Sequence, residues 1–152
     1  MSLQISRRQA LTITAGAVAA GALSGIPGRA WAANDAQDLA KKFTGGKAPA
    51  KSKVKLDLPE IAENGNAVPM TVSVDSPMTK ESYVSDVLVV AEGNPRGGVV
   101  TFHFTPSSGV AEANTRIRLA ETQNVIAIAK MNDGSLFMDT KQVKVTIGGC
   151  GG

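Results

Sequence analysis

An apolar residue stands at every second position of the stretch Val68-Pro69-Met70-Thr71-Val72-Ser73-Val74-Asp75. Successive side chains of a β-strand point to opposite faces of the sheet. The alternation therefore predicts a strand with one face in a hydrophobic core and the other in solvent. This stretch decides the fold class, because the segments on both sides of it repeat the same kind of pattern.

Further strand-like segments lie at residues 54–58, 83–91, 100–104, 115–119, 125–131 and 136–147. Turn-forming residues separate them, among them Asn132-Asp133-Gly134, which is typical of a hairpin turn. About seven short strands at regular spacing predict an all-β fold, an antiparallel β-sandwich with immunoglobulin-like topology. A short helix over residues 36–43 precedes them, with Asn34 or Asp35 as its N-cap and Gly45-Gly46 at its end.

The segment Val87-Leu88-Val89-Val90-Ala91 is apolar on both faces. A strand of an antiparallel sandwich normally keeps one face in contact with water. Two explanations stay open at this point. The segment is either a central strand covered on both faces by its own domain or a surface strand completed by a partner chain.

The first 32 residues have the features of an export signal. Arg7 and Arg8 precede an apolar, alanine-rich stretch that is shorter than the roughly 20 residues a membrane span needs. Ala30-Trp31-Ala32 then matches the small-x-small pattern of a signal-peptidase site. We expect a twin-arginine signal over residues 1–32, cleaved after about Ala32, and a periplasmic mature protein. An ordinary Sec signal with a chance arginine pair is the alternative.

The net charge of the chain without its signal argues against nucleic acid and membrane surfaces as partners. The chain has 16 basic and 13 acidic residues. The charged residues of the signal are Arg7, Arg8 and Arg29, so the mature part has 13 of each sign. We therefore expect no binding to nucleic acid or to a membrane surface. The remaining 120 or so residues suffice for one domain, which we place at residues 33–147, followed by a C-terminal arm over residues 148–152.

The sequence lacks the usual catalytic motifs. It contains no G-x-S-x-G, P-loop or G-x-G-x-x-G pattern. Its one histidine, His103, stands between Phe102 and Phe104 and is expected to face away from them, at the surface. Neither a second histidine nor a nearby cysteine is present to complete a zinc or copper site with it. We expect no metal, no cofactor, no catalytic residue and no enzymatic activity of the chain itself.

The C-terminal sequence Ile147-Gly148-Gly149-Cys150-Gly151-Gly152 carries the only cysteine. An exported chain with one cysteine cannot form an internal disulfide, which suggests a free thiol with a purpose or an intermolecular link. We expect strand pairing to end at Ile147, because glycines offer no side chain to pack. The thiol of Cys150 would then lie on a stalk of roughly 10 Å. On this hypothesis Gly149→Val leaves stability within about 0.5 kcal/mol.

This arrangement suits a carrier that holds its substrate covalently on Cys150 and presents it to several enzymes. No lysine or arginine within the last eight residues would activate the thiol, so partner enzymes would have to do so. Two alternatives remain: Cys150 links two copies of the chain, or it is an accidental residue in a frayed tail. The competing function is a non-enzymatic β-sandwich interaction module that dimerises through its terminal cysteine.

The ending Val145-Thr146-Ile147-Gly148-Gly149-Cys150-Gly151-Gly152 resembles the carboxyl terminus of the SoxY family, the carriers of bacterial sulfur oxidation. Residues 61–65, 68–69, 115–120 and 127–130 resemble other segments of that family. The resemblance implies a periplasmic heterodimer with SoxZ. It also implies transient contacts with the haem-containing SoxXA, the hydrolase SoxB and, in some organisms, the sulfane dehydrogenase SoxCD. Cys150 would be the attachment point for thiosulfate-derived sulfur, and Gly148, Gly149, Gly151 and Gly152 the carrier arm.

Overall fold

The strand-forming segments of the sequence fold into two β-sheets with a helix packed outside them. The computed structural model describes residues 34–149. In chain order these form the helix α1 (Ala36–Thr44) and the strands β1 (Val54–Asp57), β2 (Ile61–Asn64), β3 (Val68–Val74), β4 (Val84–Ala91), β5 (Gly98–His103), β6 (Ala111–Ile117), β7 (Gln123–Met131) and β8 (Leu136–Ile147). A 3-10 turn, Pro106–Ser108, connects β5 to β6.

One sheet has the strand order β1-β3-β6 and the other the order β2-β8-β7-β4-β5. Neighbouring strands are antiparallel, with the exception of β2 and β8, which run parallel with Ala62 beside Val145. The two sheets enclose a common apolar core. The predicted all-β, immunoglobulin-like sandwich with a short N-terminal helix is confirmed.

The burial of the β3 side chains matches the alternation of apolar residues that predicted this strand. Val68, Met70, Val72 and Val74 are buried, whereas the residues between them are half-buried or exposed. β6 pairs with the whole of β3, with Val68 opposite Ile117. Full burial of one such side chain contributes about 1.5–3 kcal/mol. Because no internal disulfide is possible, this apolar contact between the sheets holds the sandwich together.

The doubly apolar strand β4 is covered on both faces by its own chain. Val87 and Val89 face the core between the sheets and are fully buried. The opposite face lies under α1, in a second cluster of Leu88, Val90, Ala36, Leu39, Phe43 and Ile126. Of the two explanations for this segment, coverage by the same domain is therefore correct.

Polar contacts fix the start of α1 on the sandwich. The Asn34 side chain donates to the backbone carbonyls of Ala91, at 2.9 Å, and of Asn94, at 2.5 Å. The Asp35 carboxylate accepts from the backbone N–H of Gly97 at 2.6 Å. The helix ends at Gly45, which has the left-handed φ of 61° that favours glycine. No helix within residues 34–149 is long and apolar enough to span a membrane.

Strand β2 was not predicted from the sequence. Ile61–Asn64 pairs with the end of β8. Only Ala62 of these four residues is buried. A four-residue strand with one buried side chain has no period to detect, and its parallel partner lies far along the chain.

The contact between Gly97 and α1 generates a stability prediction. A Cβ at Gly97 would lie 2.2 Å from the backbone nitrogen of Ala36, which cannot move without displacing the helix. We expect Gly97→Ala to lower the free energy of unfolding by about 1–3 kcal/mol, as overpacking does. Urea denaturation followed by circular dichroism measures it.

Gly98→Ala is the matched control one residue away. Its Cβ would approach only the flexible end of Leu39, at 3.0 Å. We expect a change within about 0.5 kcal/mol. Equal losses in the two variants would contradict the proposed backbone contact with the helix.

Candidate functional site

The predicted site residues fall into two groups. Cys150, Gly151 and Gly152 lie outside the described residues, whereas Gly148 and Gly149 lie within them. The observed geometry therefore concerns the backbone directly before Cys150 and the segments that contact it. We call this contact the arm root and define it as Gly65, Leu119, Ala120, Gly148 and Gly149.

Backbone hydrogen bonds continue beyond the end of β8. The Gly65 N–H donates to the Ile147 carbonyl at 2.8 Å, and the Gly149 N–H donates to the Leu119 carbonyl at 2.9 Å. The Leu119 N–H donates in turn to the Gly65 carbonyl at 2.8 Å. Strand pairing does end at Ile147, as predicted. The chain nevertheless stays attached to the sandwich beyond the strand, because the Gly149 N–H bonds the segment that follows β6.

The glycines of the arm root permit a backbone approach that other residues would prevent. A Cβ at Gly148 would lie 2.1 Å from the Ala120 carbonyl oxygen, and one at Gly149 would lie 2.7 Å from the Gly65 carbonyl oxygen. A Cβ at Gly65 would lie 2.1 Å from the Leu119 carbonyl oxygen. Gly149 is buried. The sequence argument took these glycines as residues that cannot pack, but the absence of a side chain is what lets their backbones pack here.

A network of side-chain hydrogen bonds holds the Arg118–Ala120 backbone of the arm root. The Asn94 side chain donates to the Arg118 carbonyl at 2.9 Å and accepts from the Ala120 N–H at 2.9 Å. The buried Gln123 donates to the same Asn94 oxygen at 2.9 Å and accepts from the Gly93 N–H at 2.7 Å. The sequence did not single out Asn94, since its partners lie in another loop. Its amide fixes the segment that holds the arm.

The arm root changes the expected reach of Cys150. Consecutive Cα atoms across a trans peptide are about 3.8 Å apart. Cys150 follows directly after Gly149, whose N–H makes the last backbone hydrogen bond within residues 34–149. A stalk of roughly 10 Å measured from Ile147 is available only if Gly148 and Gly149 leave their contacts.

His103 lies away from the arm root. Its side chain is 75% exposed, and its Nδ1 lies 2.6 Å from the Asp86 carboxylate. Phe102 and Phe104 pack against the core on the other face, as expected from strand alternation. Within residues 34–149, no group of three histidine, cysteine, aspartate or glutamate side chains is placed to hold a metal ion.

Comparison with known proteins bears on the whole domain. Residues 40–150 match the family described as sulfur oxidation protein SoxY. The structure resembles that of the sulfur carrier protein SoxY from Chlorobium limicola f. thiosulfatophilum, with 30% identity, a TM-score of 0.58, and coverage of 73% of this chain and 94% of that one. No curated protein sequence gave a significant match.

Two superoxide reductases (neelaredoxins) share the fold. The protein from Ignicoccus hospitalis is 20% identical with a TM-score of 0.55, over 62% of this chain and 80% of that one. A variant from Archaeoglobus fulgidus in the reduced form is 18% identical with a TM-score of 0.51, over 62% and 90%. At such identities the likeness concerns the fold alone.

The contacts of Gly149 change the stability effect that we expect for Gly149→Val. The added side chain would clash with the Gly65 backbone, and the clash is relieved when position 149 leaves its hydrogen-bonded site. The loss is then limited to about one hydrogen bond, roughly 0.5–1.5 kcal/mol. We expect amide exchange at position 149 to accelerate at least about tenfold, because a bond opened locally exchanges without global unfolding. Hydrogen exchange followed by NMR measures it.

Gly109→Ala supplies the control. Gly109 has a positive φ of 74° and nothing within 4 Å of its Cβ position. Substitution there costs about 1 kcal/mol through backbone strain but should leave the Gly149 amide protected. Unprotected exchange at Gly149 in the unsubstituted chain would contradict the arm root.

Proposed function

This chain belongs to the SoxY family of sulfur oxidation proteins, and from that membership we propose that it carries sulfur intermediates bound covalently to Cys150. The observation that carries the proposal is the position of the lone cysteine, one residue beyond a backbone segment hydrogen-bonded to the sandwich. The substrate would thus be presented at a defined edge of a rigid domain. The chain is a carrier in this proposal, and its partners supply the catalysis.

The loading step forms a bond between the Cys150 sulfur and the terminal sulfur of thiosulfate. The thiol loses its proton, and two electrons pass to the haem-containing partner, SoxXA. The product is a cysteine S-thiosulfonate. The proposal requires this external oxidant because neither the thiol nor thiosulfate can accept the electrons.

The release step is a hydrolysis by SoxB. Water adds its oxygen to the sulfonate sulfur, and the bond between the two sulfurs derived from thiosulfate breaks. Sulfate and one proton leave, and a persulfide stays on Cys150. In organisms that have it, SoxCD would oxidise this remaining sulfur.

The arm root suggests how the cargo on Cys150 would be presented to a partner enzyme. Gly149, the residue directly before Cys150, is hydrogen-bonded to Leu119. A partner enzyme must then bring its active site up to the surface of the arm root. Glycines on either side of Cys150 leave the thiol approachable, because they add no side chains beside it.

The location and stable partner are also part of the proposal. We place the mature protein in the periplasm as a heterodimer with SoxZ. The twin-arginine pattern at Arg7 and Arg8 supports this location, because that route exports folded proteins and a partner without a signal could travel with this chain.

Removal of the thiol tests the carrier function. We expect Cys150→Ser to abolish every sulfur adduct while the free energy of unfolding changes by less than about 0.5 kcal/mol. The measurement is the intact mass of the mature chain from thiosulfate-grown cells, with and without a thiol reductant. The unsubstituted chain should show a reductant-labile adduct that maps to Cys150.

A different mass pattern would favour the interaction module. If the unsubstituted chain shows only a free thiol or a disulfide-linked dimer under every growth condition, the carrier function is wrong. Cys150→Ser would then do no more than release the covalent dimer.

Conservative replacement of the arginine pair tests the export route. We expect Arg7→Lys/Arg8→Lys to keep the precursor in the cytoplasm with its signal attached, because twin-arginine export depends on the pair itself. Arg29→Lys, which removes the signal's other arginine, should still yield a mature chain beginning near Ala33 in the periplasmic fraction. Export of both variants would assign the chain to the Sec route.

A further inference from the structure

The edge strands of the two sheets border an open groove. β5 is an edge strand of the five-stranded sheet, and β6 is an edge strand of the three-stranded sheet. A groove of about 450 Å³ lies between them, lined on one side by Val99 and Val100 and on the other by Arg116 and Arg118. Arg96, from the turn before β5, completes its cationic lining.

The three arginines have no counter-charge in the described structure. All three are exposed, and none of them forms an ion pair within residues 34–149. No aspartate or glutamate lines the groove. Guanidinium groups bind carboxylates in paired hydrogen bonds, so three of them around one groove favour an acidic ligand.

The groove also offers features that a small inorganic anion would not use. Among the described strands, β5 pairs with β4 alone and β6 with β3 alone, which leaves one side of each backbone unpaired. An unpaired strand edge can accept an extended peptide through main-chain hydrogen bonds. Val99 and Val100 are half-buried and can contact an apolar side chain of such a peptide. The ligand that fits is an extended segment with acidic and apolar residues.

The groove adjoins the arm root through the backbone. Arg118 directly precedes Leu119, whose carbonyl accepts from the Gly149 N–H. Next comes Ala120, whose carbonyl oxygen lies against Gly148. The Asn94 side chain, which also lines the groove, bonds the Arg118 carbonyl and the Ala120 N–H. A ligand in the groove would therefore lie beside the point at which the arm leaves the sandwich.

We propose that the groove lined by Arg96, Arg116 and Arg118 binds an extended acidic segment of a partner protein. Binding at this place would bring the partner to the arm root and hence to the cargo on Cys150. The role in cargo transfer rests on the proposed carrier function, whereas the binding itself does not.

Peptide binding to the full chain tests the site. The probe is a fluorescein-labelled peptide of alternating aspartate and valine, measured by fluorescence anisotropy at low salt. We expect Arg96→Gln/Arg116→Gln/Arg118→Gln to weaken binding by about tenfold or more, since each exposed charge pair contributes up to about fivefold in affinity. The control Lys47→Gln/Lys51→Gln/Lys80→Gln removes the same charge from exposed positions outside the groove and should change affinity less than about twofold.

Two results would overturn the proposal. Equal weakening in the two triple variants would show attraction to net charge rather than to the groove. Equal binding of a peptide in which asparagine replaces aspartate would show that the groove does not recognise the carboxylates.

Cargo loading separates this proposal from the carrier function. In thiosulfate-grown cells we expect the arginine triple variant to show several-fold less sulfur adduct than the lysine triple variant, at an equal melting temperature. Normal loading with lost peptide binding would refute the role in transfer and leave the carrier function standing. Intact peptide binding without any adduct on the unsubstituted chain would refute the carrier function alone.

Discussion

Three backbone segments meet at the arm root at distances that leave no space for a side chain. Gly65, Gly148 and Gly149 each face a carbonyl oxygen where a Cβ would stand. The hydrogen bonds from Gly65 to Ile147, from Leu119 to Gly65 and from Gly149 to Leu119 join the turn after β2, the segment after β6 and the C-terminus. This contact fixes the short parallel strand β2 beside β8. It also holds Gly149, the residue to which Cys150 is bonded.

The sandwich can hold such a contact because its own chain covers both faces of its most apolar strand. β4 is buried on one face by the opposite sheet and on the other by α1. Asn34 and Asp35 attach the helix to the same turn region that contains Asn94, and Asn94 bonds the segment that carries Leu119 and Ala120. The helix, the turn before β5 and the arm root are therefore connected through a few directed hydrogen bonds. A rigid support of this kind places a reactive group more accurately than a loop does.

Periodicity predicted those parts of the structure in which side chains determine the packing. Val68, Met70, Val72 and Val74 identified β3, and Val87 to Ala91 identified a strand with two apolar faces. The lone Cys150 and the resemblance of its surroundings indicated the family. The arm root could not be predicted in this way, because Gly148 and Gly149 have no side chains and their partners belong to distant segments. The arginine groove was missed for a related reason, since Arg96 joins Arg116 and Arg118 only through the strand order.

A short fixed tether and a neighbouring binding groove suit each other physically. A long flexible arm would let Cys150 meet any partner, but the effective concentration of its thiol at one active site falls as the linker grows beyond the distance it spans. In the proposed carrier, Cys150 is bonded directly to Gly149, which the Leu119 carbonyl holds beside Ala120 and Gly65. A partner must then come to the arm root to reach the thiol, and the groove beside Arg118 is placed to hold it there. Such a carrier selects its enzymes through the surface around the arm, while the chemistry of the thiol itself can stay unspecific.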